Sequence, residues 1–368
     1  MKRIVIACDG TWSRLDAVRQ TNVAKLAEAV LPLAPDGVPQ IVCHLDGVGS
    51  GRGTGRLARA LDRALGGVLG LGLEATLVVA YRFLVLTYAP GDDIQLFGFS
   101  RGAYTARSLA GLIRACGILE RAHADAVPAA LARYRERAPA DGPAALGFRA
   151  RHAAHVTTGA AEAAWRAARG LPGGLPLGIG YLGVWDTVGA LGVPAHLALA
   201  ARLNRGLGFH DTVLSPMVAA ARHAVAIDER RRSFPPTLWD NLDALAAAAP
   251  GAYAQRWFPG DHGSVGGGGG VTSLSDDALL WVAEGAAAAG LALDPAAVAA
   301  WERARDWRGS LTARRPGLLR GLLMLDTADR PGPARLGELA EAAVRRWRHD
   351  PGYRPAALGR VAAALDAG

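Results

Sequence analysis

Cysteine is scarce in this chain of 368 residues, and its three cysteines lie far apart. Cys8, Cys43 and Cys116 each sit in an apolar run, and no two of them form a C-x-x-C pair. This spacing favours small buried side chains over a disulfide framework or a zinc site. We therefore expect no metal centre built on cysteine.

Lysine is also nearly missing. Lys2 and Lys25 are the only lysines, so the formal net charge of +8 comes almost wholly from arginine. The arginines are scattered, and no stripe of alternating basic and aromatic residues accompanies them. We therefore expect no nucleic-acid partner, whereas transient contact with an anionic membrane surface stays open.

The chain lacks a long uninterrupted apolar run. The most apolar stretch, residues 64–89, contains Glu74 and Arg82 and has four glycines near its start. It predicts a buried helix packed on a sheet and not a membrane span. The amino terminus, MKRIVIACDGT, has too short an apolar run for a signal peptide. We expect a cytoplasmic protein, or one exported by a dedicated secretion machine; no pattern predicts its oligomeric state.

Short apolar runs alternate along the chain with helical patterns. Six of these runs predict strands, at 3–8, 40–45, 93–99, 179–186, 223–228 and 254–260. Strands alternating with helices predict an α/β fold, with a mostly parallel sheet covered by helices on both faces. Two Ala- and Arg-rich regions, at about 119–170 and 190–222, predict helical cap insertions. Residues 1–290 would form this domain, and 291–368 a helical extension packed on it.

Residues 98–102 read Gly-Phe-Ser-Arg-Gly, which fits the G-x-S-x-G pattern of a nucleophile elbow. The five letters alone are a weak signal, but a predicted strand precedes them and a helical pattern over residues 103–117 follows them. Gly98 and Gly102 leave room for the sharply turning backbone. This context favours a nucleophilic Ser100 over a serine in an ordinary turn between strand and helix.

A serine attacks a carbonyl only when a base removes its proton and a carboxylate orients that base. In this class of fold the three residues follow one another as Ser, then Asp or Glu, then His, with the partners after later strands. Asp186 ends the fourth predicted strand, and His262 follows the strand-like QRWFPG. We predict a triad of Ser100, Asp186 and His262, although Asp186 also suits a turn or a helix cap.

The negative charge that develops during acyl transfer needs backbone N–H donors. Arg101 supplies one at a helix N-terminus, and the DGT turn after the first strand supplies Gly10 and Thr11. Asp9 beside these donors is unfavourable for an oxyanion, so we expect it to brace the loop by accepting N–H groups. A metal role for Asp9 has no visible set of partners. The glycines of 266–270 lack the Lys-Ser or Lys-Thr of a phosphate-binding loop.

Several stretches together resemble one family. They are CDGTW, the TNV of 21–23, DGVGSG, AYRFLVLTYAPGDDIQLFGFSRGAYTARSLAGLI, GVWDTVGALGVP, ARHAVAIDERRRSFPPTLW and WFPGDHGSVGGG. The chain is similar to the α/β-hydrolase family once catalogued as a domain of unknown function and now associated with type VI secretion phospholipase effectors. The resemblance runs from residue 3 to about 285.

The resemblance implies an α/β-hydrolase that cleaves carboxylic esters without a cofactor, with lipid or phospholipid acyl esters as the first choice of substrate. Ser100 corresponds to the serine of the family's GFSRGA motif, and His262 to the histidine of its PGxHxDVGGG loop. Asp186 is the matching aspartate of GVWDTVG. The alternative acids are Asp9, Asp228 and Asp261.

One position departs from the family pattern. Ser264 stands where the family has aspartate two places after the histidine, and Asp261 is the residue placed to compensate. This departure leaves open a catalytically impaired hydrolase fold that acts as a binding module. A soluble esterase or thioesterase also stays open, because the Ala-rich insertions do not discriminate between lipid and soluble substrates.

Overall fold

The computed structural model describes residues 1–10, 13, 15–47, 71–189, 212–232, 234–269, 272–311 and 327–367. Three predicted features lie wholly or mostly outside these ranges: Thr11, the DGVGSG stretch and the larger part of the insertion at 190–222. The described residues include the elbow glycines and the three members of the predicted triad.

A six-stranded parallel sheet forms the centre of the molecule. The described strands are β1 (Arg3–Cys8), β2 (Gln40–Leu45), β3 (Asp93–Phe99), β4 (Val156–Thr157), β5 (Leu175–Pro176), β6 (Ile179–Trp185), β7 (Val218–Ala226) and β8 (Tyr253–Phe258). The main sheet has the order β2-β1-β3-β6-β7-β8, and every neighbouring pair in it is parallel. The carboxyl ends of all six strands therefore meet at one edge, where α/β proteins place their ligands.

Helices cover both faces of this sheet, which confirms the predicted α/β architecture. The described α-helices are α1 (Asn22–Ala29), α2 (Leu71–Thr87), α3 (Arg101–Cys116), α4 (Val127–Glu136), α5 (Pro143–His152), α6 (Ala160–Ala167), α7 (Leu242–Ala248), α8 (His262–Gly266), α9 (Ser273–Ala288), α10 (Pro295–Ala304), α11 (Glu341–His349) and α12 (Ala362–Ala367). In β1, Ile4 and Ile6 pack against α2 and α3, whereas Val5 and Ala7 pack against α1 and α9. Burial on both faces explains why β1 reads as a continuous apolar run.

The apolar stretch of residues 64–89 forms α2 over its described part. Tyr81 and Leu84 of α2 are fully buried in the core, and the Tyr81 hydroxyl donates to the carbonyl oxygen of Gly117 at 2.9 Å. Within the ranges given above, no helix is long and apolar enough to cross a membrane.

The first insertion contains α4, α5 and α6 and is held together by a buried ionic cluster. Glu162 is fully buried and accepts hydrogen bonds from Arg149 Nε at 2.6 Å and from Arg166 Nη2 at 2.5 Å. The insertion is not purely helical as expected, because Val156–Thr157 pairs in parallel with Leu175–Pro176. A strand of two residues is too short to show an alternating pattern in the sequence.

Strand β7 begins earlier than the sequence indicated. It covers Val218–Ala226 instead of 223–228, so residues 218–222 belong to the central sheet and not to the second insertion. These residues read VAAAR, and alanine and arginine carry little strand signal by themselves. Pairing with β6 on one side and β8 on the other imposes the strand.

Residues after 290 pack on two sides of the sheet. Leu291 and Trp301 join the core around α9. Farther along lies the C-terminal segment, residues 327–367. Trp347 and other apolar residues of this segment form a separate core cluster with Trp257 of β8 and with Val225 and Ile227 at the end of β7. The C-terminal helices thus complete the hydrophobic covering of the strands β7 and β8.

Candidate active site

Ser100 lies in a strained turn between β3 and α3. Its φ of 58° falls in the left-handed region that L-residues rarely adopt. A Cβ atom on Gly98 would lie 2.5 Å from Ala103 Cα, and one on Gly102 would lie 2.1 Å from the carbonyl oxygen of Cys8. Only glycine fits either place, and the tight turn projects Ser100 at the carboxyl edge of the sheet.

Three side chains that are far apart in the sequence form a hydrogen-bonded chain at this edge. Ser100 Oγ lies 2.8 Å from His262 Nε2, and His262 Nδ1 lies 2.6 Å from Asp186 Oδ2. All three residues are buried. When Nδ1 donates its proton to the carboxylate, Nε2 is left as an acceptor for the hydroxyl proton of Ser100. This connectivity is the one that activates a serine for acyl transfer.

The carboxylate of Asp186 is fully buried and accepts hydrogen bonds from several donors. Besides His262, they are the backbone N–H of Ala226 at 2.9 Å and both terminal nitrogens of Arg330, at 2.6 Å to Oδ1 and 2.9 Å to Oδ2. Burial alone would raise the pKa of Asp186, but the Arg330 cation and the hydrogen bond with His262 outweigh it and hold that pKa well below its usual range. Asp186 is therefore an anion at every physiological pH.

The alternative acids face other partners. Their hydrogen-bond donors are Gly10 and Thr21 for Asp9, Gly260 and Tyr353 for Asp228, and Ser264 for Asp261. Among the residues that the structure describes, Asp186 is the one carboxylate hydrogen-bonded to the ring of His262.

The predicted oxyanion donors differ in how they are placed. Arg101 is the first residue of α3, where the helix dipole favours negative charge. Its side chain is half-buried, and this burial lowers the pKa of the guanidinium to about 10. The N–H of Gly10 donates to Asp9 Oδ1 at 2.6 Å, so Gly10 can serve an oxyanion only if that bond breaks. Thr11 lies outside the described residues.

Asp9 is tied into the loop after β1. Its Oδ1 accepts hydrogen bonds from Gly10 N and, at 2.8 Å, from the Thr21 hydroxyl, and its Oδ2 lies 3.4 Å from His44 Nε2. Across the described part of the chain, no group of three or more His, Cys, Asp and Glu side chains is arranged to hold a metal ion.

The short helix α8 carries His262 as its first residue. Asp261 caps this helix, and its Oδ1 accepts from the backbone N–H of Ser264 at 2.9 Å and from the Ser264 hydroxyl at 2.8 Å. Asn22, the centre of the TNV motif, donates from Nδ2 to the carbonyl oxygens of Val265 and Ser275, at 2.9 Å each. These bonds fix α8 between α1 and α9.

Aromatic rings restrict the imidazole from two sides. The ring centroid of Phe99 lies 4.6 Å and that of Phe234 lies 4.9 Å from the centroid of His262. The backbone N–H of His262 donates to Glu229 Oε2 at 3.3 Å. Phe234 and Glu229 both lie in the ARHAVAIDERRRSFPPTLW stretch, so the motif was recognised although the roles of these two residues were not.

Arg330 is a further site residue that sequence reasoning missed. It lies in the C-terminal extension, in the stretch DTADRPGPA, which has no recognisable motif. A lone arginine next to a proline gives no local signal of burial, so only the tertiary packing shows its place beside Asp186.

A parallel sheet covered on both faces, with a serine elbow at its carboxyl edge, defines the α/β-hydrolase class. A family model described as "T6SS, Phospholipase effector Tle1-like, catalytic domain" matches residues 2–285. The chain belongs to this family, and the family predicted from the motifs is confirmed. Arg330 lies beyond the matched residues.

Three similar proteins are each longer than this chain. An uncharacterized protein of Saccharomyces cerevisiae is 30% identical over 240 residues, which are 63% of this chain and 32% of that protein. A crystal structure of an uncharacterized protein from Pseudomonas aeruginosa aligns with a TM-score of 0.39 and 19% identity, over 79% of this chain and 46% of that one. The Tle1 effector bound to the VgrG spike of the type VI secretion system aligns with a TM-score of 0.34 and 21% identity, over 72% and 51%. The chain thus spans about a third of the yeast protein and about half of each solved chain.

Proposed function

We propose that this chain is a serine hydrolase that cleaves the acyl esters of lipids, with phospholipids as the main substrates. The observation that carries the proposal is the hydrogen-bonded chain that begins at Ser100 in the strained elbow and runs through His262 to Asp186. Membership in a phospholipase effector family supports the choice of a lipid ester.

The chemistry begins with proton transfer from Ser100 to His262. His262 Nε2 takes the hydroxyl proton as Oγ attacks the acyl carbonyl, and a tetrahedral intermediate forms. Asp186 keeps the Nδ1–H tautomer in place and stabilises the imidazolium by its charge. The imidazolium then gives the proton to the leaving alcohol, and Ser100 is left acylated.

The oxyanion of the intermediate is stabilised by the backbone N–H of Arg101 at the start of α3, with Gly10 or Thr11 as the second donor. Water, activated by the same His262, then attacks the acyl-enzyme and releases the fatty acid. Loss of one such donor typically lowers kcat by about 10²–10³.

The surroundings of the substrate follow from the family and from the charge. The effector family supports a phospholipid in a membrane as the target, and export by a type VI secretion machine as the route to it. A net charge of +8 supports transient contact with an anionic membrane surface. The proposed ester hydrolysis requires no cofactor.

The decisive experiment is intact-mass spectrometry after incubation with a fluorophosphonate. The purified chain should gain one adduct, because the probe reacts with a serine whose proton can pass to a neighbouring base. Ser100→Ala should gain none. Ser108→Ala is the matched control, since Ser108 is a buried serine of α3, the helix that follows Ser100, and its loss should leave labelling intact.

Lipid hydrolysis is then measured on vesicles of phosphatidylethanolamine and phosphatidylglycerol, beside p-nitrophenyl butyrate. Release of fatty acid from vesicles by the parent and not by Ser100→Ala supports the phospholipase. Turnover of p-nitrophenyl butyrate alone would contradict the phospholipase and indicate a soluble esterase instead. A folded parent without any adduct would overturn the hydrolase and leave a binding module.

A further inference from the structure

Arg330 contacts the predicted acid of the triad from outside the residues that the family model matches. Its Nη1 donates to Asp186 Oδ1 and its Nη2 to Asp186 Oδ2, so the planar guanidinium meets both carboxylate oxygens side by side. Such bidentate pairing fixes the plane of the carboxylate as well as its distance. His262 Nδ1 donates to the same Oδ2 that Arg330 holds.

The same guanidinium also joins two backbone segments around His262. Nη1 donates to the carbonyl oxygen of Ala226, the last residue of β7, at 2.9 Å. Nη2 donates to the carbonyl oxygen of Phe234 at 2.8 Å, and the ring of Phe234 packs edge-on against the imidazole. One side chain of the C-terminal segment therefore fixes both the Asp186 carboxylate and the segment whose Phe234 ring packs against His262.

Burying an arginine in this way is unfavourable unless the charge is compensated. Only 6% of the Arg330 surface is exposed, and its side chain ends against the fully buried Asp186. Replacing the whole Arg330–Asp186 pair with apolar residues would fill the same space without the desolvation penalty, so stability alone does not account for this buried ion pair.

We propose that Arg330 is a positioning residue for catalysis, which holds the Asp186 carboxylate in the plane of the His262 ring. The proposal rests on the proposed function, since it assigns Asp186 to the triad. It places a functional residue of the hydrolase in the C-terminal extension, so the catalytic domain as matched is incomplete without that segment.

Positioning through charge has a signature in the pH profile. The charged groups that face His262 are Asp186 after β6, Glu229 and Arg231 after β7, Asp261 before α8, and Arg330. Arg231 pairs with Glu229 at 2.6 Å, so Arg330 is the cation paired with Asp186 itself. Removal of this cation takes one positive charge away from the hydrogen-bonded chain, so the acidic limb of kcat/KM should move to higher pH.

The test compares Arg330→Gln and Arg330→Lys with the parent, using a soluble p-nitrophenyl ester. In Arg330→Gln we expect kcat to fall about 10- to 100-fold with little change in KM, because misplacing a reacting group by about 1 Å has effects of this size. The pH of half-maximal kcat/KM should rise by about one unit. Arg330→Lys keeps the charge but not the paired geometry, so it should keep the parent pH profile and recover only part of kcat.

Arg346→Gln is the matched control. Arg346 is also 6% exposed and lies in the C-terminal segment, but it donates to the carbonyl oxygens of Trp307 and Gly309, away from the triad. Its loss should lower thermal stability as the loss of Arg330 does, while kcat and the pH profile of the folded enzyme stay as in the parent.

The outcomes separate this inference from the proposed function. A parent that takes no fluorophosphonate overturns both. A labelled parent whose folded Arg330→Gln variant keeps the parent kcat and pH profile overturns the role of Arg330 and leaves the serine hydrolase in place. If Arg330→Gln does not fold, the test rests on Arg330→Lys, which keeps the charge but not the paired geometry. A kcat equal to that of the parent in this variant would contradict the need for the paired geometry.

Discussion

Ser264 shows how one residue adapts the local chemistry of the histidine loop. The family pattern has aspartate at this place, whereas here the carboxylate comes from Asp261, three residues earlier. Asp261 Oδ1 accepts both the backbone N–H and the hydroxyl of Ser264, so the two residues form one helix cap. The serine is the donor that this cap uses, and an aspartate there would supply only another acceptor.

We therefore expect that restoring the family aspartate harms this chain. Ser264→Asp would bring a second carboxylate against Asp261 at the start of α8, which carries His262, and like charges there repel. The rate of fluorophosphonate labelling at pH 8 should fall below that of Ser264→Ala, which loses only a hydrogen bond to a charged group, about 1.5–3 kcal/mol.

The double variant Asp261→Asn/Ser264→Asp is the matched control for this repulsion. It removes one of the two charges and restores a donor at residue 261, so labelling should recover toward the parent rate. Labelling of Ser264→Asp that is faster than that of the parent would instead show that the missing aspartate limits the native site.

At the scale of elements, most strands could be predicted and some boundaries could not. The runs at 3–8, 40–45 and 93–99 coincide with β1, β2 and β3. β1 and β3 are buried on both faces, and such strands are continuous apolar segments, whereas the edge strand β2 is only partly buried. The start of β7 could not be predicted, because the strand propensity of VAAAR is too weak to compete with its helix propensity. The predicted strands also located two of the site residues, since Ser100 directly follows one predicted strand and Asp186 ends another.

The end of β7 carries a buried carboxylate that links the sheet to the C-terminal segment. Asp228 Oδ2 accepts from Gly260 N at 2.6 Å and from the Tyr353 hydroxyl at 3.0 Å. Burial raises the pKa of Asp228 to about 6, although both of these hydrogen bonds oppose the rise. The folded protein therefore binds this proton more tightly than the unfolded chain does.

Stability should accordingly fall as the pH rises from about 4 to about 6, since in this range the unfolded chain has released a proton that the folded state still binds. Asp228→Asn removes this ionisation while its amide oxygen can still accept from Gly260 and Tyr353. Denaturant unfolding at pH 8 should show a gain of up to about 3 kcal/mol over the parent, and at pH 4 the gain should disappear.

The exposed Asp243→Asn is the control for exchanging a carboxylate for an amide. A gain in Asp228→Asn that is equal at pH 4 and pH 8 would contradict the ionisation of Asp228 as its cause.

At the scale of the whole molecule, the sequence predicts only those site residues that stand in local motifs. Ser100 and His262 stand in motifs that also define their local geometry, an elbow and a glycine-rich loop. Arg330 meets Asp186 across 144 positions of sequence, through a contact that only the packing of the C-terminal segment creates. Contacts of this kind leave no periodicity or spacing to detect, because neither partner constrains the residues next to it.

The packing of the C-terminal segment predicts that it unfolds together with the central sheet. Trp347 is buried against Trp257 of β8 in this cluster, and its Nε1 donates to Asp366 Oδ1 at 2.8 Å. Trp347→Ala should destabilise the protein by about 3–5 kcal/mol. Calorimetry should show one transition, shifted to lower temperature, and labelling of Ser100 should be lost at that same temperature.

Trp165→Ala, at a half-buried residue of α6, is the control and should shift the transition far less. Two separate transitions, with labelling that survives the first, would show instead that the segment is an independent unit and that the triad does not need it.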